Sequence, residues 1–234
     1  MYNRTDAFGV KKIFLSLSVI ALCSSALVAD DIAFSEYSIA VKAGSIGGGL
    51  EVTTPILESL NLRVGLTGFN YSTNKKEQDI EYDMKLDLLM FNLMADYYPF
   101  ESSQFRLSGG AMYNNNTLKM TGKPSAAGFE INGVTYTSAD VSNIDAEVDF
   151  NKFAPYLGIG WGDAVKKAGW NFTTDLGVMF QGAPNSDVTT TTTLTGAAKV
   201  QLDANVAAEK TKLDNDLGAF QYYPVFTVGV SYRF

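Results

Sequence analysis

Histidine, the residue that most enzymes use as a general base, is absent from this 234-residue sequence. Enzymes that activate a serine, threonine or cysteine nucleophile need a neighbouring base, most often a histidine. Serine and threonine are plentiful, but a hydroxyl group without such a base is a poor nucleophile. We therefore expect no catalytic residues and no enzymatic activity.

A group of carboxylates between residues 140 and 149 consists of Asp140, Asp145, Glu147 and Asp149. Zinc favours histidine and cysteine ligands, and the sequence has no histidine and a single cysteine, Cys23. Oxygen ligands could chelate calcium, but this spacing fits no calcium-loop motif. A solvated acidic loop is the preferred interpretation, so we expect no metal and no cofactor.

Five other charged residues occur in segments that are otherwise rich in apolar and small residues, namely Lys42, Glu51, Arg63, Arg106 and Asp175. A buried charge is tolerated only when an opposite charge pairs with it. We expect these side chains to face an interior and to form a structural network of arginines and acids. A filter that selects passing solutes is the alternative interpretation.

The segments that carry these charges alternate apolar and polar residues with the period of two that is typical of β-strands. The clearest strands are predicted at residues 62–67, 105–114, 156–161 and 170–181. Four more, at residues 37–52, 82–97, 188–194 and 223–234, bring the total to about eight. The alternation breaks at Gly47–Gly49 and near Leu89, which suggests β-bulges.

Residues 1–29 have the features of an export signal, with Arg4, Lys11 and Lys12 ahead of an apolar run from Ile13 to Ala29. The run is short, is interrupted by serines and ends in small residues. Cleavage is therefore favoured over a retained membrane anchor. We expect a cleaved N-terminal signal helix, followed by one domain of residues 30–234.

The charge of the expected mature chain argues against binding to nucleic acid. Removing three basic residues and one acidic residue from totals of 18 and 25 leaves 15 and 24, a net charge of −9. No later segment offers 18 consecutive apolar residues, so this chain can enter a membrane only as strands, which must close into a barrel. A soluble periplasmic β-sandwich is the alternative.

Two segments outside the strands have their own patterns. Around Asn132-Gly133, the order FEI, NG, VTYT predicts a hairpin with a tight turn inside a long polar insertion. Residues 202–217 carry apolar side chains at helical spacing among good helix formers, which predicts one short amphipathic helix.

The last predicted strand resembles the terminal strand of outer-membrane barrel proteins. In those proteins a polar residue, a glycine and two aromatic residues ending in phenylalanine form the signal that the barrel assembly machinery reads. Thr227, Gly229, Tyr232 and Phe234 fill these places. Over residues 35–234 the chain is similar to the small outer-membrane barrels of the OmpA-membrane-domain and OmpW type.

This resemblance implies an all-β fold, a closed antiparallel transmembrane β-barrel of about eight strands in the outer membrane of a Gram-negative-type bacterium. It implies contact with outer-membrane lipid and, during biogenesis, with periplasmic chaperones and the barrel assembly machinery. We expect a porin-like protein that passes small solutes or acts at the envelope surface. The alternative is a structural or binding barrel without a channel that uses its outer loops. Neither the solute nor the surface ligand is indicated.

The eight strands as assigned conflict with the usual sidedness of such barrels, in which both chain ends and the short turns face the periplasm. The short links near Pro55, Pro99 and residues 163–169 would face outward instead. We therefore favour a turn at Gly47–Gly49 that splits the first strand, with residues 184–221 as one long outer loop.

Overall fold

The computed structural model describes residues 36–77, 80–124 and 128–234, so the predicted signal helix of residues 1–29 lies outside the described residues. Helix α1 spans Gly196–Asp216, and a 3₁₀ turn covers Leu217–Gln221. The strands are β1 (Ser38–Gly44), β2 (Gly47–Leu57), β3 (Leu60–Glu77), β4 (Ile80–Tyr97), β5 (Phe105–Asn114), β6 (Thr117–Lys123), β7 (Phe129–Ile131), β8 (Val134–Tyr136), β9 (Val141–Asp149), β10 (Phe153–Trp161), β11 (Gly169–Phe180), β12 (Asn185–Thr192) and β13 (Tyr222–Arg233).

Eight of these strands close into a ring. Their order is β4, β3, β2, β1, β13, β11, β10 and β5, and β5 pairs again with β4. All eight pairings are antiparallel. Closure gives the backbone groups of every ring strand a neighbour on both sides. The predicted closed antiparallel barrel is confirmed, and the alternative of two stacked sheets is wrong.

The two ends of the barrel differ. Ser38 at the start of β1, Arg233 at the end of β13 and the short links 58–59, 98–104 and 162–168 all lie at one end, which we call the terminal end. The Ser45–Ile46 turn and the two longest links, residues 115–152 and 181–221, lie at the opposite end, the loop end.

The turn predicted to split the first strand is confirmed, but it lies at Ser45–Ile46, directly before Gly47. The alternative prediction of a β-bulge there is wrong because the chain reverses completely. Gly47 adopts a φ of +92°, which glycine tolerates and L side chains rarely do.

Side chains of the barrel alternate between a buried polar interior and an exposed apolar exterior. On β11, Thr173 and Asp175 are buried inside, whereas Phe172 and Leu176 point outward and are 72% and 56% exposed. Other outward apolar residues are Ile39, Val41, Leu50, Val52, Leu66, Leu93, Leu107, Leu157, Ile159, Phe226 and Val228. This distribution is the reverse of the one in a soluble protein, where apolar side chains are buried. An apolar belt around the whole barrel needs an apolar environment.

Aromatic side chains border the apolar belt at both ends. The terminal end carries Tyr37, Tyr97, Phe100, Phe105, Trp161, Trp170, Tyr232 and Phe234, and the loop end carries Phe91, Tyr113, Phe153, Phe180 and Tyr222. On β10 the two aromatic bands are separated by the length of the nine-residue strand. For a strand tilted by about 40°, this separation is roughly 20 Å along the barrel axis. These positions match the girdles expected at lipid headgroups.

Two tyrosines near strand ends, Tyr98 and Tyr223, point inward and do not join the girdles. The Tyr98 hydroxyl donates to the Gly162 carbonyl at 3.3 Å and connects two links at the terminal end. The Tyr223 hydroxyl donates to the Ser45 carbonyl at 2.6 Å and connects β13 to the turn at the loop end.

Beyond the loop end, β3 and β4 continue into a second, five-stranded region that we call the outer sheet, in the order β3, β4, β6, β9 and β12. Strand β4 pairs with β5 through residues 90–97 and with β6 through residues 81–87. The threonine-rich segment Val188–Leu194 is not a barrel strand as first assigned, because β12 pairs with β9 in the outer sheet. The favoured interpretation of residues 184–221 as one long loop between two barrel strands agrees with the ring order, although this loop contains β12 and α1.

The remaining elements cover the far end of the outer sheet. Strands β7 and β8 form the predicted hairpin, with φ of +49° at Asn132 and +77° at Gly133 as a two-residue turn requires. Helix α1 packs Leu202 against this hairpin.

The predicted helix is confirmed, although it begins at Gly196 rather than at residue 202. Its apolar face is narrow, since Leu202 is buried whereas Val200 is 70% exposed. Within the described part of the chain, no helix is long and apolar enough to span a membrane.

Candidate functional site

The five charged residues expected to face the interior meet inside the barrel. Each is supplied by a different strand, and none is more than 6% exposed. They are Lys42 on β1, Glu51 on β2, Arg63 on β3, Arg106 on β5 and Asp175 on β11. The alternation of each strand is what turns these side chains away from the apolar belt.

Asp96 on β4 joins the same group and was missed from the sequence. It is 2% exposed, its Oδ2 lies 2.9 Å from Arg63 Nε, and the Ser108 hydroxyl donates to its Oδ1 at 2.6 Å. The break in alternation near Leu89 hid its direction. Its even spacing from Asn92, another polar residue, could have predicted that both side chains lie on the same face of the strand. We call these six charged residues the ion cluster.

Asp175 is the centre of the ion cluster because three cations contact its carboxylate. Lys42 Nζ lies 2.9 Å from Oδ2, while Arg63 Nη1 and Arg106 Nη2 lie 3.0 and 2.6 Å from Oδ1. The Thr227 hydroxyl donates to Oδ2 at 3.0 Å. One carboxylate thus links β1, β3, β5 and β13 to β11.

The charges of the ion cluster balance. Lys42 Nζ also lies 2.6 Å from Glu51, and Arg63 lies 3.4 Å from the same carboxylate. Three basic and three acidic side chains give a formal sum of zero. Because removing one partner of a buried pair leaves an uncompensated charge, this arrangement suits a structural network that fixes the strands.

Interior glycines provide the space that the large charged side chains occupy. A Cβ atom on Gly160 would lie 2.7 Å from Arg106 Cζ, and one on Gly229 would lie 2.6 Å from Lys42 Cγ. At these two positions the missing side chain makes room for a large neighbour on another strand.

The link of residues 162–168 folds into the terminal end and closes it. Ala164 and Val165 are 6% and 5% exposed, and Asn61 Nδ2 donates to Asp163 Oδ1 at 3.2 Å. Arg106 donates to the Gly162 carbonyl and so connects the ion cluster to this cap.

A layer of apolar side chains fills the barrel between the ion cluster and the loop end. It consists of Ile46, Met90, Met94, Met112, Ala154, Tyr156, Met179 and Val225, each at most 4% exposed. We call it the methionine layer. Methionine has a flexible side chain that fits irregular spaces, and Ile46 enters from the turn at the loop end.

Little space remains between the two layers. A cavity of about 30 Å³ lies there, lined among others by Lys42, Glu51, Asn92, Met94 and Met112. One water molecule needs a comparable volume, so this cavity is far too small for a solute. The interior built by the described residues is filled rather than open.

Two of the four acidic residues considered for calcium, Asp140 and Asp145, accept hydrogen bonds from protein groups. Asp145 accepts hydrogen bonds from Thr121 at 2.7 Å and from Asn143 at 2.9 Å. The backbone N–H and the hydroxyl of Thr137 donate to Asp140 and hold the pKa of that carboxyl below its ordinary value. Within residues 36–77, 80–124 and 128–234, no group of three or more candidate ligands is placed to hold a metal ion.

The four residues of the terminal signal lie on both faces of β13. Thr227 and Gly229 face inward, where they contact the ion cluster, whereas Tyr232 and Phe234 face outward in the terminal-end girdle. The Tyr232 ring lies 5.1 Å from both Trp170 and Phe234. Thr227 and Gly229 thus have structural roles that the sequence did not indicate, and reading by the assembly machinery stays a prediction.

Comparison with known proteins finds likeness in structure alone. No protein-family model matches the chain, and neither does any curated protein. Acinetobacter baumannii CarO2 is similar in structure with a TM-score of 0.57 and 21% identity, covering 85% of this chain and 98% of that one. CarO from the same organism is similar with a TM-score of 0.55 and 24% identity, and the match covers 83% of this chain and 96% of that one.

A major outer membrane protein from Thermus thermophilus is 14% identical and covers 85% of this chain and 99% of its own, but its TM-score of 0.39 is too low to support an argument. The two Acinetobacter structures are under 25% identical to this chain, so they establish likeness in fold and not a shared activity. The narrower resemblance to the OmpA membrane domain and OmpW stays a prediction. This protein has the fold of a small outer-membrane β-barrel.

Proposed function

We propose that the protein is an integral outer-membrane barrel that holds the outer sheet and helix α1 at the cell surface and does not conduct solutes through its centre. The apolar belt and its two aromatic girdles support a membrane location. The structural likeness to CarO and CarO2 supports the outer membrane in particular. The predicted signal of residues 1–29 would direct export.

The arrangement of the links supports an orientation in that membrane. Small barrels of this kind place both chain ends and their short turns in the periplasm. The terminal end would therefore face the periplasm. The loop end, with residues 115–152 and 181–221, would face the outside. Most of the chain beyond the barrel would then stand on the cell surface.

The filled interior is the observation that carries the proposal of a barrel without a channel. Along the axis, the cap of residues 162–168, the ion cluster and the methionine layer follow one another, and the cavity between the two layers has about 30 Å³. A path for solutes would require separating buried charge pairs, which costs several kcal/mol per ion. The porin-like role expected from the sequence is therefore the second candidate.

Conductance across a planar lipid bilayer tests this proposal. We expect the purified mature barrel to insert without stepwise conductance, and the insertion itself is checked by the change in gel mobility on heating. A porin of known conductance, inserted into the same bilayer, serves as the positive control for the detection of open channels. Stepwise conductance by the unaltered protein would establish the porin-like role instead.

A further inference from the structure

An apolar pocket lies in the mouth of the barrel, above the methionine layer and inside the loop end. It has a volume of about 230 Å³. Its first wall is the inner face of the outer sheet, where β4, β6 and β9 contribute Leu86, Leu88, Leu118 and Val148, together with Phe150. The opposite wall is the segment before and at the start of β13, with Leu217, Phe220 and Tyr223. We call this space the mouth pocket.

Buried amides hold the walls of the mouth pocket in place. Gln181, which is 1% exposed, donates from Nε2 to the Phe220 carbonyl at 2.8 Å and accepts from Asn114 Nδ2 at 3.2 Å. The side chain of Asn116, 5% exposed, accepts from the Leu89 backbone N–H at 3.1 Å. Because these hydrogen bonds fix both walls to the barrel, the pocket cannot close simply by moving one wall.

The chemistry of the lining selects an apolar ligand. Eight lining residues are leucine, valine, phenylalanine or tyrosine, and the three polar ones are Asn116, Thr117 and Gln181. Two of those three already bond with protein groups. A space that offers so few free polar partners holds water poorly, whereas apolar cavities of about 150 Å³ in other proteins bind benzene. The mouth pocket has room for a somewhat larger molecule.

The direction of the pocket indicates where the ligand comes from. Leu88 lines the pocket, whereas its neighbour Leu89 lies on the opposite face of β4, is 47% exposed and points outward on the same face as the girdle residue Phe91. The pocket therefore faces away from the lipid. Phe220, which is 53% exposed, leaves it accessible from the loop end.

We propose that the mouth pocket binds one small, uncharged apolar molecule, about the size of two fused aromatic rings, that arrives from the outer medium. Tyr223 forms the floor and packs against the methionine layer, so the ligand would sit directly above that layer. This binding site is additional to the proposed role of holding the outer sheet and helix α1 at the cell surface. It does not depend on whether the barrel conducts solutes.

Equilibrium dialysis of radiolabelled naphthalene tests the proposal. Mature protein in lipid nanodiscs is compared with empty nanodiscs of the same lipid, which measure partition into the bilayer alone. We expect a saturable component of about one naphthalene per barrel in addition to the linear partition. Linear partition alone, equal with and without the protein, would overturn the proposal.

A matched pair of variants places the binding in the mouth pocket. Leu88→Trp fills the pocket and should weaken the saturable binding by about tenfold or more. Leu89→Trp puts the same side chain on the adjacent, outward-facing position and should leave the saturable binding unchanged. Equal effects of the two substitutions would contradict the assigned site.

Two further measurements keep the test decisive. Heat-modifiable gel mobility shows whether each variant has folded. If Leu88→Trp does not fold, Leu118→Phe is the second variant that fills the pocket. The saturable binding by the unaltered protein tests the proposal even without a variant. Mass spectrometry of the purified barrel asks whether a lipid is retained. One tightly held acyl lipid per barrel, absent from Leu88→Trp, would show that the pocket serves a lipid and refute the proposal.

Discussion

Asp175 is the residue on which the interior of this barrel depends most. Its carboxylate contacts one lysine and two arginines within 3.0 Å and accepts a hydroxyl hydrogen bond from Thr227. These groups are at most 5% exposed, so the protein itself must supply most of the compensation for each charge. The strands that carry the cations are thus linked through one side chain.

Replacing this carboxylate should destabilise the barrel strongly. Asp175→Asn keeps the shape of the side chain but leaves the ion cluster with one uncompensated positive charge, and we expect a loss of about 3–5 kcal/mol in the free energy of unfolding. Urea unfolding of the refolded protein in lipid vesicles measures it. Asp187→Asn, on the exposed side of the outer sheet, is the control and should change stability by less than about 0.5 kcal/mol. Similar losses in the two variants would mean that the ion cluster contributes no more to the free energy of unfolding than an exposed carboxylate does.

The glycine beside Arg106 should be equally intolerant of a side chain. A Cβ on Gly160 would lie 2.7 Å from Arg106 Cζ, so Gly160→Ala should displace the guanidinium from Asp175 and cost about 1–3 kcal/mol. Gly109→Ala is the matched control, because a Cβ there would meet only Leu157 at an ordinary 3.5 Å. The same urea titration compares the two, and an unchanged midpoint for Gly160→Ala would show that Arg106 can move aside freely.

Five of the six charged residues of the ion cluster were correctly predicted to face the interior, because the period of two determines which face a strand residue occupies. It could not state which charges touch. Those contacts depend on the closure of the barrel, which brings Lys42 and Asp175 together across 133 positions of sequence. The role of Gly160 and Gly229 was equally hidden, since the large neighbours that need the space lie on other strands.

Strand β4 shows how one element serves two environments. Near its end, Phe91 and Leu93 face the apolar belt while Asn92 and Asp96 face the interior. Near its start the polarity is reversed, because Leu86 and Leu88 line the mouth pocket. The predicted β-bulge near Leu89 is wrong, since the register with β3 runs without a shift. The break in alternation marks the rim of the barrel instead.

The outward face of β11 should tolerate a charge according to depth. Leu176 lies near the middle of the apolar belt, and Leu176→Arg should cost about 2–4 kcal/mol in the free energy of unfolding in lipid vesicles. Phe180→Arg places the same charge in the loop-end girdle and should cost about 0–1 kcal/mol for the charge itself. If the cost did not depend on position, the belt would not be the lipid-facing surface.

The docking of helix α1 should depend on pH. Asp214 pairs with Lys210 at 2.8 Å and accepts a hydrogen bond from Ser186 on β12, and these contacts hold the pKa of Asp214 below its ordinary value of 3.8. A lowered pKa in the folded state stabilises docking above pH 3.8, and this contribution is lost as the pH falls through the lowered pKa.

The methyl NMR signal of Leu202, which lies on helix α1 and is buried against the β7–β8 hairpin, follows this change. We expect the same signal at neutral pH and at about pH 5, and a shift only when the pH falls below the ordinary carboxyl pKa of 3.8. In Asp214→Asn that shift should disappear. Asp203→Asn, which removes an exposed partner of Lys199, is the control and should keep it. A shift that persists in Asp214→Asn would assign the pH dependence to another group.

The strands of the barrel were predictable from their alternation, whereas the elements of the outer sheet were only partly so. The threonines of β12 indicate a strand, but nothing in their pattern reveals that the strand pairs with β9 outside the ring. The helix was placed from Leu202 onward because its earlier turn, with exposed Val200, carries no apolar pattern. Pairing partners and exposed helical turns are set by tertiary contacts rather than by local sequence.

The part of the chain from residue 36 onward that the structure describes is a stack of layers along one axis. From the terminal end these are the cap of residues 162–168, the ion cluster, the methionine layer and the mouth pocket, and the outer sheet stands above them. Around the first layers the apolar belt covers the barrel. An exterior suited to lipid and an interior closed to water follow from the same alternation of side chains.

Spin-label accessibility on β11 tests this alternation most directly, because the expected mature chain has no cysteine and single cysteines can be introduced freely. A nitroxide is attached at Phe172→Cys and Val178→Cys on the outward face, and at Thr173→Cys and Met179→Cys on the inward face, in protein refolded into vesicles. We expect the outward labels to collide with oxygen dissolved in the lipid and the inward labels to be shielded from oxygen and from a water-soluble nickel chelate. Strong collision of the inward labels with nickel would reveal an open channel, and equal accessibility of neighbouring positions would contradict the barrel in lipid altogether.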